Sequence, residues 1–393
     1  MSQQQFSVLF VDDEPRILDG LRRQLRAKRY DWDMRFVESG EAAIRAMNES
    51  PADVVVSDMR MPGMNGAQVL RRMQQSWPDA LRVILSGQTD QAELLGDIGA
   101  VHQFLQKPCD PDAVRATVLR AQTVRKLLES RKLRKVSAGV VSLPLLANTH
   151  TMLANALDAD ASLTAIAEIV ERDIALKTKL IQLVNTSFFG MPRRISTAKD
   201  AVSLLGTRNL RAIAVTAHAF DCLAADDACA HVISSLWTAS LRIGACAEGL
   251  ARKAGQSQTV IEQSMLAGTL SLMGRALLAR YEPLNLIAAC KLAESGVKLH
   301  KAEATTCGAP QQHVAGYALG LWAFSDAIVE AVTYQDDPFK SSVNDAAHPL
   351  TFVHAARALN PTSRYVEAIE PCEDFLITRG LDWSRLRKER HAA

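Results

Sequence analysis

The chain has little charge of either sign to spare: 45 Lys and Arg stand against 43 Asp and Glu, a formal net charge of +2. No global field therefore demands a nucleic-acid or anionic-membrane partner. Aromatic residues are sparse, at 5%. The seven cysteines are scattered, and no two sit at the C-x-x-C spacing, so neither a disulfide framework nor a zinc-type cysteine pair is expected. The longest uncharged stretch, Ala304 to Ser325, is interrupted by Gly308-Ala309-Pro310-Gln311-Gln312, which argues against a membrane span. The start, Met1 to Phe6, lacks a basic region followed by an apolar segment, so no secretory signal is expected and a cytoplasmic location is. None of the nine histidines is followed by Asp.

Hydrophobic residues make up 48% of the 393 positions and charged residues 22%. That composition fits a folded chain too long for one ordinary core, so two domains are expected. From Phe6 to about Gln122, short apolar runs alternate with amphipathic segments, the pattern of a doubly wound α/β domain with a parallel sheet. Strands are expected near 8–11, 34–37, 53–57, 82–86 and 102–105, with helices near 15–28, 40–49, 65–76, 90–98 and 111–135. Pro15 suits the first turn of a helix, where its missing donor would be unpaired anyway. Beyond Ser142 the strand signature disappears, and Leu163–Val170, Leu176–Val184, Leu210–Phe220, Ile261–Leu278 and Val314–Trp322 carry helical spacing, so the second half reads as all-α. Ser162 is a plausible N-cap there.

Chemistry concentrates at the strand ends of the first half. Asp12 and Asp13 follow one apolar run and Asp58 ends another, while Ser86 and Lys107 close two more. In an open parallel sheet, ligands bind outside the carboxyl ends of the strands. Three carboxylates meeting there would repel one another and favour a hard cation of the Mg2+ kind. With a hydroxyl and an ammonium beside them, they match the oxygens of a phosphoryl group. Adjacent aspartates alone would serve equally to cap a helix; joint placement with Asp58 and Lys107 is what points to phosphate. Phe104, on the last strand, reads as core and as a candidate switch.

These motifs resemble the response-regulator receiver domain. The carriers are Val-Asp-Asp-Glu-Pro at 11–15, Ser-Asp-Met-Arg-Met-Pro-Gly-Met-Asn-Gly at 57–66, Leu-Ser-Gly at 85–87 and Lys-Pro at 107–108. The resemblance implies a flavodoxin-like fold of five parallel strands over residues 1–122. It also implies Asp58 as phosphoacceptor and Mg2+ held by Asp12, Asp13, Asp58 and the Arg60 backbone carbonyl. Lys107 would then bind phosphate, Ser86 and Phe104 would act as the switch, and a sensor histidine kinase would supply the phosphoryl group.

Residues 141–379 resemble an HDOD domain, a helical relative of HD-type phosphohydrolases lacking their catalytic residues. Glu171–Leu176, Asn185–Gly190, Arg194–Thr197, Ala201–Gly206, Leu236-Trp237 and Gly320–Trp322 carry that likeness. Ser271 and Leu272 stand where the metal-binding doublet would be, Ala239 where a histidine would lie, and Tyr334–Pro338 where a histidine pair is expected. Trp237 and Trp322 read as core, and Asp336 and Asp337 as loop carboxylates. Asn185, Arg194 and His313 are candidates for a residual pocket, or else braces between helices. The implied output is non-catalytic binding to a downstream signalling protein. The alternatives are a nucleotide or cyclic-dinucleotide sensor and a metal-dependent phosphodiesterase. Between the two halves, residues 123–140 read as a linker helix continuing the last receiver helix. Its stripe of Val114, Val118, Ala121 and Leu128, interrupted by Arg125, is expected to support a homodimer. Residues 380–393 form a tail.

Overall fold

The computed structural model describes residues 5–26, 31–86, 100–107, 110–128, 133–134, 144–145, 152–153, 155–157, 159–185, 194–215, 221–222, 229–343, 345–360, 363 and 365–392. The helix expected near 90–98 lies outside them.

Five strands form one parallel sheet: β1 (Phe6–Val11), β2 (Trp32–Val37), β3 (Val54–Asp58), β4 (Leu81–Ser86) and β5 (Gln103–Gln106), in the order β2-β1-β3-β4-β5. Every residue of β1, β3 and β4 is buried, because helices cover both faces of a parallel sheet. The strand alternation sorts side chains between two cores. Phe6, Val8, Phe10, Val54 and Val56 join one cluster, while Leu9, Val11, Val55, Ile84 and Phe104 join the other. Register follows, with Val8 opposite Met34 on one side and Val54 on the other. The strand order reverses between β1 and β3, which opens the crevice at their carboxyl ends where ligands bind.

The described residues of this half also form helices α1 (Pro15–Gln24), α2 (Gly40–Glu49), α3 (Gly66–Ser76) and α4 (Pro111–Arg125). Pro15 occupies the first turn of α1. A reciprocal cap starts α3: Asn65 Oδ1 accepts from the Gln68 amide at 2.9 Å, and Gln68 Oε1 accepts from the Asn65 amide at 3.1 Å. Such a cap satisfies two otherwise orphaned donors.

Among the described residues the remainder is helical apart from a two-residue parallel pairing of β6 (Pro144–Leu145) with β7 (Asp221–Cys222) and an isolated antiparallel bridge between Ser363 and Val366. Its elements are α5 (Leu163–Arg172), α6 (Ile174–Val184), α7 (Ala198–Val215, kinked at Gly206), α8 (Ala230–Lys253), α9 (Gln258–Leu270), α10 (Met273–Tyr281) and α11 (Pro283–Glu294). After them come α12 (Leu299–Thr306), α13 (Gln311–Leu321), α14 (Asp326–Thr333), α15 (Pro349–Leu359), α16 (Glu373–Thr378) and α17 (Trp383–Ala392). Ser162 caps α5, its Oγ accepting from the Ala165 amide at 3.2 Å. Trp237 and Trp322 are each 2% exposed and belong to the core.

Two expectations need correction. The helical pattern across Ile261–Leu278 is two helices, broken at Ser271 and Leu272. The Ser271 carbonyl there accepts from the side-chain amides of Gln311 at 2.9 Å and Gln335 at 2.8 Å, so it is turned toward α13 and the loop after α14. The helix expected over 111–135 stops at Arg125, with residues 126–127 in a turn. The stripe is used inside the molecule: Val114, Val118, Ala121 and Leu128 are all buried in the core shared with the helical half. That stripe is therefore not a free dimer surface. Arg125 ion-pairs with Asp53 at the start of β3.

α4 lies directly against α13. A Cβ on Gly320 would fall 2.3 Å from Val124 Cγ1, so only a glycine permits the contact. Polar bonds flank this apolar seam. Gln103 on β5 donates to the Leu321 carbonyl at 2.9 Å, Gln182 on α6 donates to the His102 carbonyl at 3.2 Å, and Arg120 pairs with Asp326 at 3.1 Å.

Candidate functional site

β1 delivers Asp12 and Asp13, β3 delivers Asp58, β4 ends in Ser86, and Lys107 follows β5. Carboxylate oxygens of Asp12, Asp13 and Asp58 all lie within 4.8 Å of one another. Among the described residues no other group of His, Cys, Asp or Glu side chains is so arranged. Asp12 and Asp58 are buried, at 1% and 6% exposure. Lys107 Nζ reaches Asp12 Oδ2 at 3.0 Å and Asp58 Oδ1 at 2.7 Å. The backbone seats it, since the Lys107 amide donates to the Ser86 carbonyl at 2.8 Å. Asp12 Oδ1 also accepts from the Glu14 amide at 2.9 Å, which orders the turn into α1.

Gly66 gives the loop after Asp58 its tight return, because a Cβ there would lie 2.0 Å from the Asp58 carbonyl oxygen. Arg60, whose carbonyl the resemblance assigns to the metal, is on this loop with its residue exposed. Ser86, which follows Leu85, the register partner of Asp58 on β4, is 3% exposed. Phe104 is 7% exposed and turned into the cluster containing Ile84, Val101, Met59 and Met61.

Burial pushes the Asp58 carboxyl above its ordinary value, and the nearby Asp12 charge adds to that, while the Lys107 hydrogen bond and charge oppose it. For Lys107, burial works against the ammonium, but bonds and charges from Asp58 and Asp12 outweigh it, so its pKa is raised. A buried, electron-rich carboxylate beside a fixed cation is suited to accept a phosphoryl group and to have the added negative charge neutralised. The three-carboxylate donor set also fits a hard divalent cation with oxygen ligands.

The helical residues singled out by sequence separate into two places. Ser271, Leu272 and Ala239 are buried at 0%, 0% and 2%, the last two in the hydrophobic core. Elsewhere in the helical half, buried ion pairs form: Arg275 Nε donates to Glu303 Oε1 at 2.6 Å, and Arg357 pairs with Asp336 at 3.6 Å. Asp336, expected as a loop carboxylate, thus faces the interior. His354 Nδ1 meets the Gln335 carbonyl at 2.7 Å, and its Nε2 accepts from the Cys372 amide at 2.9 Å, which fits a neutral ring with its proton on Nδ1. Asn185 and Arg194 instead line a cavity that His313 does not share. Asn185 is a brace: it donates to the Ile181 and Ile195 carbonyls at 2.9 and 2.6 Å and accepts from the Ile195 amide at 2.7 Å. Sequence reasoning did not single out Gln103, Gln182, Arg120 or Asp326. Each acts through a partner distant in the chain, and no local spacing announces such a pair.

Comparison with known proteins agrees with this layout. The response regulator receiver domain family matches residues 8–119, and the HDOD domain family matches residues 143–338. The chain is 34% identical over 123 residues to the hydrogenase transcriptional regulatory protein HoxA of Cupriavidus necator, covering 31% of this chain and 25% of that protein. It is 28% identical over 184 residues to the C4-dicarboxylate transport transcriptional regulatory protein DctD of Pseudomonas aeruginosa, covering 46% of this chain and 37% of that protein. It thus spans only 25% and 37% of the length of these two curated relatives. The crystal structure of the MmoQ response regulator from Methylococcus capsulatus aligns with 63% of this chain and 97% of its own, at 18% identity and a TM-score of 0.45. With an acidic cluster at the carboxyl edge of a five-stranded parallel sheet and a helical domain behind it, the chain belongs to the response regulators that join a receiver domain to an HDOD domain.

Proposed function

We propose that the protein is a phosphoryl-accepting switch. A sensor histidine kinase supplies the phosphoryl group to Asp58, and the HDOD domain, without catalysis of its own, changes its binding to a downstream signalling protein. The observation that carries this reading is the Lys107 ammonium bridging Asp12 and Asp58 inside the carboxylate cluster. An Asp58 oxygen attacks phosphorus as the bond to the donor breaks. Lys107 moves from carboxylate to phosphoryl oxygens, and the Ser86 hydroxyl donates to one of them. Mg2+, held by Asp12, Asp13, Asp58 and the Arg60 carbonyl, would neutralise charge on the transferring group.

Lys107 and Gln103 flank the same short strand, and Gln103 is bonded to the Leu321 carbonyl of the HDOD domain. Drawing Lys107 inward therefore tugs on the seam between α4 and α13. A few kcal/mol of differential interaction shifts such a two-state joint. Ser271, Leu272 and Ala239 at the degenerate HD positions support an output by binding rather than hydrolysis. No helix among the described residues is long and apolar enough to cross a membrane, which is compatible with the cytoplasmic site of action proposed. We assign residues 1–122 to the receiver, 123–140 to the linker, 141–379 to the output domain and 380–393 to the tail.

The test is labelling by acetyl phosphate in Mg2+. Asp58→Asn should abolish it, and undiminished labelling would overturn the assignment. A pull-down comparing phosphorylated protein with Asp58→Asn then identifies the partner.

A further inference from the structure

The HDOD domain holds a cavity of about 250 Å3 beside the receiver, away from Ser271, Leu272 and Ala239. Its apolar wall includes Ile195, Trp322 and Phe324, and two opposite charges, Arg194 and Glu262, line it. Arg194 donates to the Ala323 carbonyl. Arg194 is exposed at the cavity rim; partial burial and the like charge of Arg120 push its pKa down while the Asp326 carboxylate opposes them, and the guanidinium stays charged and able to meet an anion. Glu262 accepts from Ser196 Oγ at 3.1 Å and from Gln258 Nε2 at 2.8 Å, which leaves lone pairs on both oxygens for further donors.

Independent observations single out the segment 322–325, which forms one side of the cavity. Trp322 Nε1 and Ser325 Oγ are buried and have no hydrogen-bond partner among the described residues, an arrangement that costs stability. Ser325 precedes α14 yet makes no side-chain cap. Ala323 adopts a φ of 57°, the left-handed region that an alanine occupies only at a cost. Backbone strain and unpaired buried groups collect where a fold is shaped around a ligand.

We propose that this cavity binds a small bipolar molecule, with an anionic group toward Arg194 and an N–H donor edge toward Glu262. The volume lies just below the range for drug-sized ligands, so an amino acid fits readily, a nucleoside monophosphate is the upper limit, and a cyclic dinucleotide is too large. The walls are tied to the receiver: Gln182 bonds the His102 carbonyl, and Asp326, next to Ser325, pairs with Arg120. Occupancy therefore stiffens the joint between the domains, through contacts that do not involve Asp58.

Isothermal titration of the full chain with GMP, AMP, L-glutamate and L-arginine, each separately, tests this. At least one should bind more tightly than about 1 mM, and the nucleotide and amino-acid arms distinguish the two sources of the chemistry. Arg194→Ala or Glu262→Gln should weaken that binding at least about tenfold while the melting temperature of the free protein stays within the range of a surface substitution. Asp58→Asn should bind as well as the unaltered chain, so failure of the phosphoryl-switch reading leaves this result intact. Binding by none of the four, or binding unchanged in both cavity variants, would overturn the proposal.

Discussion

One ammonium stands between two carboxylates at the centre of the receiver site, and its removal separates the forces acting on Asp58. Lys107 contributes a hydrogen bond and a charge that favour the ionised carboxylate, while burial and Asp12 oppose it. In Lys107→Met burial and Asp12 are opposed only by the Met59 amide bond, so the Asp58 carboxyl titration followed by NMR without Mg2+ should move to higher pH. A midpoint that stays put or falls would show that Lys107 does not govern Asp58. Acetyl phosphate labelling at neutral pH should fall as well, since charge on the transferring group loses its partner. These residues were legible in the sequence because their chemistry and their place at strand exits coincide. Gln103 and Gln182 were not, because an amide bonding a distant carbonyl has no local pattern. Of Asn185, Arg194 and His313, proposed together as a residual pocket, the first two line one cavity and His313 does not, a separation that no local sequence pattern announces.

At the scale of elements, the strands were plain in the sequence because a sheet covered on both faces writes itself as continuous apolar runs. The break between α9 and α10 was hidden. Apolar spacing runs straight through Ser271 and Leu272, and the amides that turn the Ser271 carbonyl come from Gln311 and Gln335. α15 depends in the same way on remote and local imidazoles. His348 Nδ1 accepts from the Leu350 amide at 3.2 Å and caps the helix, while His354 ties it to Gln335 and Cys372. Burial pushes His348 down to about 4 and also lowers His354. A histidine whose folded pKa is depressed adds stability above its unfolded value, and that stability is lost as pH falls toward the folded value. Denaturant midpoints should therefore decline as pH drops from about 6.5 to about 4. His348→Asn, which keeps a capping acceptor without a titrating ring, should flatten part of that decline. An identical pH profile for the variant would remove His348 from the account.

Across the whole molecule, one apolar cluster runs from the β1 face of the receiver sheet through α4 into the HDOD helices. Domains joined by so continuous a core should not melt independently, in contrast to the usual polar, mobile joint between domains. Calorimetry of the unphosphorylated chain should accordingly show a single transition. Gly320→Ala places a Cβ 2.3 Å from Val124 Cγ1, and overpacking of this kind costs about 1–3 kcal/mol. The strain falls on the seam, so the transition should split, with the receiver and HDOD halves melting apart. Arg120→Ala removes only a pair whose Asp326 side chain is 78% exposed, worth about 0–1 kcal/mol, and should leave the single transition in place. Two transitions in the unaltered chain would mean that the shared core does not couple the halves. A single transition would constrain the proposed switch: a phosphorylated Asp58 would have to alter the seam between α4 and α13 while keeping their apolar contact, because detaching the domains would expose the apolar core that holds both.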